Sequence, residues 1–343
     1  MSAPAERPDL TIWGYAFGYF ACYAPYSALT KGLSSGSLPG MAAPISGFAL
    51  LPSTAIASLV GMLVFLSAMG WWKHARRRVV LGVSVPFPSV WTFLSGLCTA
   101  AIIPTTTLAY TFGGVSIVFM MLLMRGGVLV IAPIVDLVTK RKVRWFSWVS
   151  LGLSLAALLA ALADGASYEI TLIAAVDVAV YLLAYFIRLR FMSRLAKSDD
   201  PDAKLRYFVE EQMVATPALV ATLAVMALVG RGELLAQVRW GFTDLWASGV
   251  GWVAILVGLL SQGTGVFGGL ILLDKRENTF CVPVNRASSV LAGLVATLVM
   301  GAFAGGKGLA GSEMVGAVLV MGAMTVLAWP TISARARPAA SRS

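Results

Sequence analysis

The sequence predicts an all-α membrane protein of ten transmembrane helices, arranged as two inverted five-helix repeats, and three observations predict it. The 343 residues are 58% hydrophobic and only 12% charged, with a mean hydropathy of +0.83, against roughly 25% charged residues in a soluble domain. Ten apolar runs near the ~20 residues that a bilayer-crossing helix needs follow one another through short connections. One of them, residues 114–139 with Arg125 at its middle, is answered 161 residues later by residues 280–300 with Arg286 at the matching place.

The ten segments lie at 11–30, 47–70, 89–110, 114–139, 146–163, 170–190, 208–229, 249–273, 279–303 and 312–330. Backbone groups in lipid must be satisfied within the chain, so runs of this length are helices and not barrel strands. The first repeat is expected over 11–163 and the second over 170–330. With five helices in each, the halves run in opposite senses through the membrane.

Lysine and arginine orient the chain. With a cytoplasmic N-terminus, 20 of the 26 basic residues fall on the cytoplasmic side, Arg76, Arg77, Arg78, Arg141, Arg188 and Lys275 among them. Four fall opposite (Lys31, Arg231, Arg239, Lys307), and Arg125 and Arg286 remain in the membrane. The positive-inside rule then puts both termini in the cytoplasm, with the plasma (inner) membrane of a bacterium as the expected location. The net charge of +10 is read as this orientation signal and not as a nucleic-acid-binding surface. The opening residues lack the charged start and small-residue cleavage site of a signal peptide.

Several chemistries are not expected. Cys22, Cys98 and Cys281 sit apart in apolar segments and read as small buried residues. The lone histidine, His74, lies in a basic loop. The acidic cluster Asp199, Asp200 and Asp202 is surrounded by basic residues, and no second aspartate motif, Ser/His/Asp set or nucleotide loop accompanies it. No enzyme activity, no metal site and no cofactor is expected.

A guanidinium at bilayer depth costs ~2.5–3.5 kcal/mol on insertion scales and needs a partner, a water-filled cavity or an anionic ligand. Arg125 and Arg286 at equivalent places in two halves point to a symmetric carrier with its site near the midplane. On the first segment Tyr15, Tyr19, Tyr23 and Tyr26 fall within one ~80° stripe, and Asp177, Tyr181, Tyr185 and Arg188 repeat that spacing on the sixth. Tyr19, Tyr23 and Tyr181 are candidate site residues able to stack on or hydrogen-bond a ring; interfacial anchoring or packing is the plainer account. Gln262, mid-segment, is a further cavity candidate. Asp177, about two turns inside its helix, is a candidate to carry a proton, bind an amine or neutralise an arginine, with a structural ion pair as the alternative. Asp136 is expected to pair locally with Lys140. Glu210 and Glu211 are expected to open the seventh helix, where carboxylates suit the dipole.

The run TLAYTFGGVSIVFMMLLMRGGVLVIAPIVDLVTKRKVRWFSWVSLGLSLAALL resembles the closing three helices of a drug/metabolite transporter repeat: a short loop, a helix ending in a basic turn, then a Trp- and Gly-containing helix. Residues 265–328 look similar, although their last loop, FAGGKGLAGSE, lacks the basic turn. The stretches MRGGVLVIAPIVDLVTKRK and VPVNR look most like the nucleotide-sugar and sugar-phosphate translocator branch. The resemblance implies an EamA-like ten-helix carrier with a central cavity, in which basic residues on the fourth and ninth helices hold phosphate. Asn285–Arg286 resembles that branch's Asn-Lys pair. The expected function is a secondary transporter working by alternating access, and the positive charge of Arg125 and Arg286 favours a small polar anion such as a sugar phosphate, nucleotide sugar or organic acid. Two alternatives stand beside it: a proton-coupled exporter of amino acids or drugs using Asp177, and a non-transporting lipid-handling or scaffold protein whose arginines pair internally. Expected partners are a small-molecule substrate, membrane lipids and, as an option, a second copy in a homodimer, with no nucleic acid.

Overall fold

The computed structural model describes residues 10–39, 41, 43–108, 117–162, 172–198, 200–304 and 311–336. Long helices form on the apolar segments: α1 (Thr11–Ser35), α2 (Gly47–Ala68), α3 (Val90–Leu108), α4 (Ile117–Val138), α5 (Trp145–Leu162), α6 (Leu172–Phe191) and α7 (Ala203–Val229). A short amphipathic helix, α8 (Glu233–Phe242), precedes α9 (Gly251–Leu272), α10 (Asn278–Ala304) and α11 (Gly311–Ala336). By length and composition α2, α7, α9 and α10 can each cross a bilayer, and α3, α5 and α11 contain shorter apolar stretches. The chain is a helical membrane protein.

Local chemistry sets the ends. Gly36, at φ 69°, takes the left-handed conformation that closes α1 and directs its N–H back to the Gly32 and Leu33 carbonyls. Ser46 caps α2, its hydroxyl accepting from the Ala49 N–H at 3.2 Å. α7 starts at Ala203, five residues before the expected segment, so Glu210 and Glu211 sit about two turns inside it and are buried. The expectation that they serve the helix dipole is therefore corrected.

The stretch expected as a basic loop after α2 is folded. It holds a 3-10 turn at Trp71–His74 and an antiparallel hairpin of β1 (Arg77–Val80) and β2 (Val83–Pro86), with Arg78 opposite Val85 and Val79 opposite Ser84. Leu81 and Gly82 make the turn at φ 49° and 81°, the doubly left-handed geometry of a two-residue hairpin loop. A leucine in that conformation costs about 1 kcal/mol relative to glycine or asparagine.

In the bundle α1 packs on α9 and α10, α6 on α3 and α4, α3 on α7, α2 on α9 and α7, and α5 on α11. Gly258 leaves no room for a β-carbon against the Thr54 carbonyl of α2, a backbone approach that only glycine allows. At one end the basic connections interlock. Arg141 donates to the Lys197 and Lys275 carbonyls at 2.8 and 3.0 Å, and Lys197 Nζ to the Arg276 carbonyl at 2.8 Å. Arg144 grips Glu277 through two bonds of 2.9 and 3.0 Å, and His74 meets Asp202 at 3.1 Å. At the other end the α1–α2 connection meets α8, where Ser46 Oγ donates to Gln237 Oε1 at 2.6 Å.

Asp136 does not form the expected local pair with Lys140. Fully buried, it accepts four hydrogen bonds from the start of α10: the Asn278 N–H and Nδ2 at 2.9 and 2.7 Å, and the Thr279 N–H and Oγ1 at 2.7 Å each. A carboxylate there satisfies two of α10's unpaired N–H groups and the positive end of its dipole.

Candidate functional site

Helices α1, α4, α6 and α10 meet around a paired set of tyrosines and arginines. One turn apart on α1, Tyr19 and Tyr23 stack with centroids 5.4 Å apart and planes at 19°. One turn apart on α6, Tyr181 and Tyr185 lie 4.8 Å apart at 54°. Arg125 Nη2 of α4 donates to the Tyr23 hydroxyl at 2.9 Å. Arg286 Nη2 of α10 donates to the Tyr181 hydroxyl at 3.4 Å, and its guanidinium lies over the Tyr185 ring at 5.0 Å, within cation–π range.

These side chains enclose a cavity of about 130 Å³ lined by both arginines and all four tyrosines. A second cavity of about 190 Å³ adjoins it, sharing Tyr19, Tyr185 and Arg286 and adding neutral polar groups from Ser58, Thr99, Gln262 and Asn285. Gln262 Oε1 accepts from Ser58 Oγ at 2.6 Å. Among the described residues no carboxylate lines either cavity. Arg286 is buried and forms no ion pair among the described residues, and its Nε has no hydrogen-bond partner. Gly268 lets Tyr19 and Asn285 reach these positions, since an added Cβ would stand 2.8 Å from Tyr19 Cε2 and 3.1 Å from Asn285 Nδ2.

Of the residues singled out from sequence, Arg125, Arg286, Tyr19, Tyr23 and Tyr181 line the smaller cavity, and Asn285 and Gln262 the larger. Asp177 lines neither. It is buried one turn before Tyr181, with Oδ2 lacking any hydrogen-bond partner and no arginine paired to it among the described residues.

Sequence reasoning missed Tyr185 as a site residue and missed the polar floor beneath it. Arg188, counted as a loop cation, is buried within α6 and paired with Glu211 of α7. Ser95 and Thr99 of α3 donate to the same carboxylate oxygen at 2.7 and 3.1 Å. The signal was present: Arg188 continues the Asp177, Tyr181, Tyr185 spacing, which puts it on the inward face.

No family model matches the chain, and no curated protein matches it either. Among solved structures the chain is similar to one described only as "Crystal structure of protein", with a TM-score of 0.60 and 13% identity over 94% of this chain and 98% of that one. At this identity the likeness speaks to the fold alone.

Proposed function

We propose that the chain is a secondary transporter of the drug/metabolite type, a ten-span inverted-repeat carrier that moves a small polar anion by alternating access. The observation that carries this is the cavity lined by Arg125 and Arg286 together and by no carboxylate among the described residues. Two guanidiniums in a poorly screened interior favour a negatively charged occupant, because Coulomb interactions weaken far less there than at a surface. The neighbouring polar cavity suits the uncharged part of the same solute, as in a sugar phosphate, nucleotide sugar or organic acid.

The helix packing supports the inverted repeat. Matching α1–α5 in order with α6, α7, α9, α10 and α11 converts α1 on α9 into α6 on α3, α1 on α10 into α6 on α4, and α3 on α7 into α9 on α2. The α5–α11 and α2–α7 contacts map onto themselves. Tyr19 and Tyr181, like Tyr23 and Tyr185, stand 162 residues apart, one more than the arginines. Four basic connections interlocked at one end support a cytoplasmic assignment for that end and for both termini.

The test is a thermal-shift screen of the detergent-solubilised protein against phosphates, nucleotide sugars, organic acids and amino acids, followed by uptake into proteoliposomes. Concentration-dependent stabilisation by an anion, with uptake of the same compound, is expected. Stabilisation by none of the anions, with no uptake, overturns the reading. A proton-coupled exporter is the second reading, favoured by the buried, unpartnered Oδ2 of Asp177. On that reading Asp177→Asn abolishes gradient-driven transport and leaves solute exchange intact.

A further inference from the structure

We propose that the hairpin between α2 and α3 is a docking surface for anionic lipid headgroups, its apolar tip seated in the bilayer interface and its arginines against lipid phosphates. The root of the hairpin is fixed. Glu210 of α7 accepts from the Arg76 N–H and the Ser89 N–H, both at 3.1 Å, so one buried carboxylate holds both legs. The Phe87 N–H closes the base on the Arg76 carbonyl at 2.8 Å, and the Arg78 guanidinium covers the Phe87 ring at 5.3 Å.

The tip, by contrast, is left open by the described residues. Leu81 is 100% exposed, Val79 70% and Val83 62%, and an isolated two-stranded hairpin is marginal in water. The turn makes the apolar tip harder to explain as accident: at φ 49° asparagine or glycine is favoured at position 81, and leucine is there instead. Such a tip needs a medium that accepts it.

Charge selects that medium. Lys73 and Arg76 precede β1, Arg77 and Arg78 open it, and no acidic residue occurs from Trp71 to Ser89. Asp202 and Glu210 approach only at the root, on His74 and Arg76. A basic cluster beside an apolar tip is the combination that binds anionic membrane, where neither signal alone holds firmly. The hairpin also joins the ends of two membrane helices at the basic end of the bundle, which keeps it near a bilayer surface. Strands of four residues present few free amides, so pairing with another chain's strand is the poorer fit.

The experiment is hydrogen–deuterium exchange of residues 76–87 in nanodiscs holding one copy each, made of phosphatidylcholine alone or of phosphatidylcholine mixed with anionic phosphatidylglycerol, which supplies a negative surface potential. Several-fold slower exchange in the anionic discs is expected, with α2 and α3 unchanged as the internal control. Arg77→Gln with Arg78→Gln should remove the lipid dependence, and Leu81→Asn, which suits the turn, should weaken the protection while leaving the hairpin folded. Equal exchange in the two lipids overturns the proposal. So does a slowing that survives the arginine substitutions.

Discussion

Arg188 and Glu211 form a two-pronged ion pair in the interior of the bundle, Nε to Oε1 at 2.8 Å and Nη2 to Oε2 at 2.9 Å. Both side chains are almost wholly buried. The pair joins α6 to α7 and, through Ser95 and Thr99, to α3, so it sits under the larger cavity as a floor.

Removing one partner of such a pair strands a buried charge, at a cost of about 3–5 kcal/mol, whereas replacing both by apolar residues is often neutral. Glu211→Gln should therefore lower the thermal unfolding midpoint in detergent strongly, and Arg188→Met with Glu211→Met should recover most of the loss. A double variant whose loss equals the sum of the losses of Arg188→Met and Glu211→Met would show that the two groups are not coupled.

The cavity arginines are expected to behave differently. Hydrogen bonds to charged groups contribute about 1.5–3 kcal/mol, or roughly ten- to a hundredfold in affinity. Arg286→Ala and Arg125→Ala should each weaken anion binding on that scale in a protein that remains folded, and the lysine variants should lose less. Ligand titrations followed by thermal shift read both quantities at once. Folded alanine variants with unchanged affinity would remove the anion site.

Gly268→Ala places a methyl group against Tyr19 and Asn285. Overpacking of this kind costs about 1–3 kcal/mol or pushes the neighbours aside. The Tyr19 ring and the Asn285 amide both line the larger cavity, so affinity should fall several-fold while Gly152→Ala, with nothing within 4 Å of its added Cβ, leaves it unchanged.

Much of this arrangement is legible in the sequence. The apolar runs located the long helices, and the arginine register and tyrosine spacing picked out Arg125, Arg286, Tyr19, Tyr23 and Tyr181, which line the smaller cavity. Where reading failed, the partner lay far away in sequence. Asp136 answers to Asn278 and Thr279, 142 and 143 residues on, so the nearby Lys140 offered a false match at helical spacing. Glu210 and Glu211 were misjudged because α7 begins before its apolar run does, and hydropathy marks the apolar part only. The hairpin escaped because its strands are too short for alternation to stand out against a basic loop.

Glu277 gives a pH prediction. Burial raises its carboxyl, but hydrogen bonds from Arg144 and Ser147 and the Arg144 charge outweigh that and hold it below its ordinary value of 4.5. A depressed carboxyl contributes stability that is full above the ordinary value and lost as pH falls through the lower one. The thermal midpoint should thus fall on acidification below about pH 4.5, and Glu277→Gln should flatten that fall in a pH series of melts. An unchanged acid limb in the variant would assign the loss to other groups.

Asp136 carries a consequence for timing. Its four bonds run to adjacent residues at one helix start, and separating α4 from α10 there surrenders all four together, leaving a charge and two backbone donors in search of water. If the two halves rock as proposed, the empty carrier does not divide its dwell time evenly between its two faces. On that reading it would rest more often with the basic end shut, so that a solute from the opposite side would find the site waiting and one from the basic side would have to catch a rarer conformer.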